Sequence, residues 1–179
     1  MKSHLLVFFT CICLANYAQN PSSGYLASTG GIGPFKIGLS KAAVEKLTGA
    51  KIVLPKNMKD PESYEWDTVK CRYKELDVEI VFSKAYYGND TAARMGVYQV
   101  TSKSASLSTK SGIVIGDDKL KIFKTYDQYR LEYYPDWDRK LNPLKAQVML
   151  YDNETSNVLV FYLYNGIITG FGASIMEGD

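Results

Sequence analysis

The sequence predicts an α+β protein of two tandem units, each a short helical segment packed on a three- to four-stranded antiparallel sheet. A glycine turn followed by a capped helix occurs at residues 38–48 and recurs from Gly116. Three strand-like stretches follow each of these helices. Equivalent positions keep a spacing of 78 to 82 residues: Gly38 and Gly116 lie 78 positions apart, Pro55 and Pro135 lie 80 apart, and Pro61 and Pro143 lie 82 apart. A duplicated unit explains all three observations.

Residues 1–18 have the pattern of a secretory signal peptide. Lys2 precedes an apolar run over residues 5–15, and Ala18 is a small residue at the expected cleavage position. The run is shorter than the roughly 20 residues that span a bilayer, so no integral membrane segment is expected. We therefore expect an exported protein, periplasmic or secreted. A lipoprotein is the less favoured alternative, because neither Cys11 nor Cys13 follows the small residue that lipid attachment usually requires.

The remaining chain divides into three parts by composition. Residues 19–32 are rich in Ser, Gly and Asn and are predicted to form a flexible lead-in, with a strand at its end as the alternative. Residues 33–104 form the first predicted unit and residues 105–179 the second. Ser and Thr around residues 108–111 are interpreted as the linker between them.

The first unit begins with a strand, a turn and a helix. Gly38 suits a sharp turn, and Ser40 is a preferred N-cap whose hydroxyl accepts a bond from a free backbone N–H. A helix over residues 41–48 follows, and Gly49 is its predicted stop. After a proline-containing connector, strands are predicted at residues 66–73, 78–84 and 96–102.

The second unit repeats this order. Asp118 takes the place of Ser40 as the N-cap, and the helix is predicted from Lys119 to about Gln128. Residues 130–143 are interpreted as a connector. Strands are predicted at residues 146–151, 157–164 and 166–175. Asn165-Gly166 predicts a type I′ hairpin turn between the last two, since both central positions of that turn need positive φ.

Counting outward from this turn assigns the faces of the last hairpin. One face holds Leu159, Phe161, Leu163 and Ile168 with Gly170 and Gly172, and we assign it to the helix-covered core. The other face carries Val160, Tyr162, Tyr164, Ile167 and Phe171. Nothing within the second unit covers this face, so either the first unit or a partner is expected to pack there.

Aromatic residues are the compositional anomaly, with 14 tyrosines in the chain. Aromatic side chains are enriched in binding hot spots. Two groups are candidates for contact with another protein or for packing between the units. They are Tyr162, Tyr164, Ile167 and Phe171 on the sheet face, and Tyr133, Tyr134 and Trp137 in the connector.

The amino-acid composition argues against catalytic, metal and cofactor sites. Without the signal peptide the chain has no histidine, and Cys71 is its only cysteine. No internal disulfide, imidazole base or zinc site is therefore expected, and we predict no catalytic residue, metal or cofactor. Cys71 is interpreted as a buried strand cysteine. The formal net charge of +2 is dispersed, which makes nucleic acid an unexpected partner.

Two pairs of acidic residues are candidates for a catalytic or ligand-binding site. Asp117 and Asp118 are better explained as helix-start residues. Asp136 and Asp138 support the alternative function, a small-ligand-binding or enzymatic module in a cleft between the units. An inter-unit site of this kind predicts a closed pocket around those carboxylates.

The segment Ile37-Gly38-Leu39-Ser40, followed by Val44, Leu47 and Gly49, resembles the helix-start signature of β-lactamase inhibitor proteins and BamE outer-membrane assembly lipoproteins. Residues 112–117 with Ile122 and Tyr126 are similar to variants of it. The resemblance implies a non-enzymatic protein whose two sheets offer a concave, aromatic-rich surface to another protein. The inhibitor proteins carry a disulfide in each unit, which this chain cannot form. Resemblance to BamE implies instead a structural protein in weak association with the envelope.

Overall fold

The structure is a computed structural model that describes residues 24–54, 68–85, 94–135 and 142–176. Its described part contains two helices and two sheets, which confirms the predicted α+β class. The helices are α1 (Lys41–Thr48) and α2 (Lys119–Thr125). The strands are β1 (Tyr25–Ser28), β2 (Gly31–Ile32), β3 (Phe35–Lys36), β4 (Val69–Tyr73), β5 (Leu76–Ala85), β6 (Arg94–Ser102), β7 (Leu107–Thr109), β8 (Leu131–Pro135), β9 (Lys145–Tyr151), β10 (Asn157–Tyr164) and β11 (Ile167–Ile175).

The larger sheet has seven strands in the order β4-β5-β6-β11-β10-β9-β8, and every neighbouring pair is antiparallel. Three strands from the first half of the chain therefore meet four from the second half at the β6–β11 pair. The register of this pair runs from Phe171 opposite Ser102 to Ser174 opposite Gln99. The two halves thus join edge to edge and leave one face of the sheet continuous.

A second layer covers the other face. It consists of α1, α2 and a smaller sheet in the order β3-β2-β1-β7. Val44 of α1 and Ile122 of α2 are fully buried in the core between the layers, and Tyr126 at the end of α2 lies 6.1 Å from the Phe161 ring. The layer buries one side of the large sheet along both halves. No helix in the described ranges is long and apolar enough to cross a membrane.

Both helices begin as the sequence predicts. Ser40 Oγ accepts a hydrogen bond from the Ala43 backbone N–H at 3.3 Å, and Asp118 Oδ1 accepts one from the Leu120 N–H at 2.7 Å. Gly49 ends α1 with φ 68° and donates its N–H to the Glu45 carbonyl. α2 ends at Thr125, three residues before the predicted Gln128.

The turn before each helix is hydrogen-bonded to a strand of the large sheet. Gly38 donates its N–H to the Val97 carbonyl at 2.8 Å, and the Val97 N–H donates to Leu39 at 2.9 Å. In the second half Gly116 donates to the Ile168 carbonyl, and the Ile168 N–H donates to Asp117, both at 2.9 Å. Each reciprocal pair anchors a helix start on β6 or β11.

A β-bulge follows each of these anchor points. The β5–β6 register shifts between Val81 and Phe82, which leaves Tyr98 as the extra residue on β6. The β10–β11 register shifts between Tyr162 and Leu163, which leaves Thr169 as the extra residue on β11. Tyr98 and Thr169 directly follow the anchored Val97 and Ile168, so the same irregularity occurs at the same place in both halves.

The second bulge corrects the predicted faces of the last hairpin. Asn165 and Gly166 have φ of 50° and 78°, and the predicted pairing of Tyr164 with Ile167 and of Leu163 with Ile168 is confirmed. Beyond Thr169 the predicted register is wrong by one residue, because an extra residue reverses the alternation of side chains. Phe171 therefore pairs with Phe161 in the core, with ring centroids 5.6 Å apart, and is fully buried. Gly170 and Gly172 lie on the open face instead.

Three segments predicted as irregular form strands. Residues of the predicted flexible lead-in form β1 and β2, and Ala27 and Ile32 are buried. Residues of the predicted linker form β7, which pairs in parallel with β1. Part of the predicted connector forms β8 at the edge of the large sheet, where a terminal Pro135 costs no ladder hydrogen bond.

Candidate functional site

The face of the large sheet that points away from the helices forms a groove of about 1130 Å³. Strands β4 and β5 form one wall, and β8 and β9 form the other. Strands β6, β10 and β11 form the floor. The polar and aromatic side chains that line it, among the described residues, are Thr68, Lys70, Arg72, Asp77, Glu79, Gln99, Thr101, Ser102, Lys103, Tyr134, Lys145, Gln147, Tyr162, Tyr164 and Thr169.

Tyr162 forms the centre of the floor. A Cβ on Gly172 would lie 3.0 Å from Cε2 and Oη of the Tyr162 ring, so the ring lies directly across the glycine. The amide of Gln99 on β6 donates to Tyr162 Oη at 3.4 Å. Burial raises the pKa of Tyr162 above its usual value. The ring is therefore held in place by residues from both halves of the chain.

Lys103 extends the floor on the other side of Tyr162. A Cβ on Gly170 would lie 3.2 Å from Cγ of Lys103 and 3.0 Å from the Ser102 carbonyl oxygen. The absence of a side chain at Gly170 lets the aliphatic stem of Lys103 lie across β11. Gly170 is directly opposite Tyr162 in the ladder, so the Lys103 stem lies over the residue that pairs with Tyr162.

The first wall carries two cross-strand ion pairs. Lys70 Nζ lies 3.8 Å from Glu79 Oε1, and Arg72 Nε lies 3.5 Å from Asp77 Oδ1. All four side chains are at least 50% exposed. Exposed pairs of this kind contribute only about 0–1 kcal/mol. Their charged groups are therefore free to exchange partners with a molecule that enters the groove.

The second wall contains a hydrogen-bonded cluster around Glu132. Its carboxylate accepts hydrogen bonds from the phenol of Tyr134, from Tyr151 Oη at 2.6 Å and from Arg130 Nε at 3.0 Å. The Arg130 guanidinium also lies 4.2 Å from the centre of the Tyr151 ring. These hydrogen bonds lower the pKa of Glu132 to about 2. The bond from Tyr134 has the largest effect, followed by those from Tyr151 and Arg130. This cluster fixes Tyr134 at the edge of the groove.

The predicted partner-binding residues fall into three groups. Tyr134, Tyr162 and Tyr164 converge on the groove, and Tyr134 and Tyr162 both lie opposite Gln147 on β9. Tyr133 points to the opposite face, where Lys119 Nζ lies 5.6 Å from its ring centre, and Ile167 lies at the hairpin turn, 39% exposed and outside the groove lining.

Two further predicted residues do not contribute to the groove as described. The proposed role of Phe171 is wrong, because it is a core residue. Trp137 lies outside the described residues. The candidate surface therefore keeps three of the predicted aromatic side chains.

Sequence reasoning missed the polar part of the groove, above all Gln99, Lys103 and Lys145. The alternation of Lys70 and Arg72 with apolar neighbours was visible and indicated an exposed face of β4. Nothing local in the sequence shows that this face continues into that of β10. The continuity depends on the edge-to-edge join of β6 and β11, which is a long-range pairing.

The described residues hold little that favours chemistry. They contain no group of three or more metal-ligating side chains. Cys71 is half-buried, and desolvation raises the pKa of its thiol, which disfavours the reactive thiolate. Asp117 Oδ2 accepts bonds from the Val114 N–H at 2.8 Å and Lys121 Nζ at 2.7 Å, a structural role. Asp136 and Asp138, the basis of the alternative function, lie outside the described residues.

Comparison of the chain with family models, with curated proteins and with solved structures finds no match. The functional argument for this protein therefore depends on the geometry of the groove.

Proposed function

We propose that this chain is a non-enzymatic, exported protein-binding module of inhibitor, immunity or envelope accessory type. The observation that carries the proposal is the convergence of Tyr134, Tyr162 and Tyr164 on one groove with a charged and amide-bearing rim. Large aromatic side chains inside a polar rim are the usual composition of protein-binding hot spots. The partner occupies this groove.

Two further arguments support the groove as a preformed site. Glu132 holds Tyr134 and Gln99 holds Tyr162 before any partner arrives. Aromatic side chains fixed in this way lose little conformational entropy on binding, so more of the contact energy appears as affinity.

The proposal includes two tandem units, as in the β-lactamase inhibitor proteins, whose helix-start signature this chain resembles. The equivalent anchoring bonds and bulges support this duplication. Gly38 and Gly116 are 78 residues apart, and the strand residues that they bind, Val97 and Ile168, are 71 apart. The bulge residues Tyr98 and Thr169 are also 71 apart. In such an arrangement the joined sheets form one shared binding surface.

Site-specific photocrosslinking tests the proposed function. The photoreactive residue p-benzoylphenylalanine replaces either Tyr164 or Tyr133, and the cells that make the protein are irradiated. Both tyrosines are 47% exposed, but they lie on opposite faces of the sheet, so Tyr133 is a matched control. The proposal predicts a discrete protein adduct from position 164 and none from position 133. No adduct at 164, or the same adduct at both positions, contradicts it.

A further inference from the structure

The lysine and arginine side chains of the groove differ in whether they are paired with a carboxylate. Among the residues that the structure describes, four cationic side chains line it, Lys70, Arg72, Lys103 and Lys145, against two carboxylates, Asp77 and Glu79. Lys70 and Arg72 pair with those carboxylates. Among the described residues, no carboxylate lies within 4.0 Å of the Lys103 or Lys145 ammonium group. The groove therefore has an excess of positive charge at two defined positions.

Each of these lysines is next to a groove tyrosine. The Lys103 stem lies across Gly170, which is directly opposite Tyr162. Lys145 is directly opposite Tyr164 on the neighbouring strand. Both lysine side chains are exposed. The floor and the second wall thus place two lysines next to the ladder positions of two groove tyrosines.

We propose that the groove binds an acidic segment of a partner polypeptide, with carboxylates at Lys103 and Lys145 and apolar side chains on Tyr162 and Tyr164. This inference rests on the proposed function and names the chemistry of the partner. The groove, with a volume of about 1130 Å³, runs from β4 across the sheet to β8, which leaves room for a polypeptide segment. Charge complementarity indicates that the segment is acidic, because a basic segment would place like charges beside both lysines.

Peptide selection tests the sign of the charge. The probe is a phage library of random dodecapeptides, panned against the purified exported protein. We expect the enriched peptides to carry more Asp and Glu than the starting library, together with apolar residues. A synthetic copy of the most enriched peptide should bind about tenfold more tightly than its version with Asn and Gln in place of Asp and Glu. Absence of binders, or binders without an acidic excess, overturns the inference.

Charge reversal locates the effect in the groove. The double variant Lys103→Glu/Lys145→Glu should lose the preference for the acidic peptide and bind its amide version at least as well. The control Lys36→Glu/Lys110→Glu makes the same change in net charge at exposed positions on the small-sheet side, and it should keep the preference. Equal loss in both variants shows a general charge effect and overturns the assignment. Circular dichroism shows that each variant is folded.

The two proposals can fail separately. A crosslinked adduct at Tyr164 whose contact segment is neutral or basic leaves the protein-binding function intact and removes the acidic partner. Absence of any adduct at that position removes the protein-binding function itself.

Discussion

The ring of Tyr162 on β10 lies across Gly172 on β11, and a Cβ on residue 172 would be 3.0 Å from the ring. One side chain thus fills the space above both residues. The glycine is therefore part of the aromatic surface, although it contributes no side chain. The Tyr162 ring can pack closely against the sheet only because residue 172 of β11 has no side chain.

Replacement of Gly172 by Ala tests this relationship. The methyl group requires the Tyr162 ring to move by a few tenths of an ångström and weakens its bond to Gln99, so Gly172→Ala should be about 1 kcal/mol less stable than a Gly→Ala substitution without such a contact. Urea denaturation measures the loss. Gly30→Ala is the control, because its Cβ would have only Ser28 Oγ at 3.8 Å within contact range. Equal effects of the two substitutions contradict the packing of Tyr162 on Gly172.

Alanine at Phe171 and at Tyr164 should have very different consequences. Phe171 is fully buried against Phe161, so Phe171→Ala should cost about 3–5 kcal/mol of unfolding free energy. Tyr164 is 47% exposed, and Tyr164→Ala should change stability by less than about 0.5 kcal/mol while weakening partner capture. Denaturant unfolding measures the first quantity and photocrosslinking from a second groove position, such as Tyr134, measures capture. A mild Phe171→Ala variant contradicts the position of the bulge at Thr169.

The Glu132 cluster makes stability depend on pH in the acid range. In the folded state the pKa of Glu132 falls from its ordinary value of 4.5 to about 2, first because Tyr134 donates a hydrogen bond to the carboxylate. The stabilisation is therefore complete above pH 4.5 and is lost as the pH falls towards 2. Glu132→Gln should remove this part of the acid sensitivity. Urea unfolding at a series of pH values measures it.

A matched variant is available for this experiment. Glu154→Gln removes an exposed carboxylate that forms no ion pair with the described residues, and it should leave the acid slope of the wild-type protein unchanged. If the two variants have the same slope, the cluster does not have the stabilising role described for it.

Substitutions at two glycines with positive φ compare the cost of backbone strain alone with the cost of strain plus a steric clash. Gly31 has φ 138°, and a Cβ there would lie 2.2 Å from the Phe35 carbonyl oxygen. Gly49 has φ 68° with nothing within 4 Å of the added Cβ. Gly49→Ala should cost about 1 kcal/mol of unfolding free energy, and Gly31→Ala should cost at least about 3 kcal/mol or prevent folding. Thermal unfolding compares them, and similar melting temperatures contradict the tight β2–β3 turn.

The local features of the fold could be predicted from the sequence. Ser40, Asp118 and Gly49 form their caps because capping depends on residues within one turn of the chain. The Asn165-Gly166 turn and its first two residue pairs follow from the same local chemistry. Counting from this turn also assigned Tyr162 and Tyr164 to the face that forms the groove.

Long-range features could not be predicted. The bulge at Thr169 exists where Ile168 is hydrogen-bonded to a helix-start turn about fifty residues earlier in the chain, and Thr169 itself carries no bulge signal. The segment Tyr133-Tyr134-Pro135 looks irregular until β9 pairs with it. Lys103 and Lys145 became candidates only when the join of β6 and β11 placed them in one groove.

The position of β1 has a consequence for how the protein can be attached to a surface. This first described strand lies in the small sheet, and the groove opens on the far side of the large sheet. A tether attached at the start of β1 is therefore joined to the layer opposite the groove. Immobilised or anchored through that end, the molecule presents its groove outward to the surrounding solution.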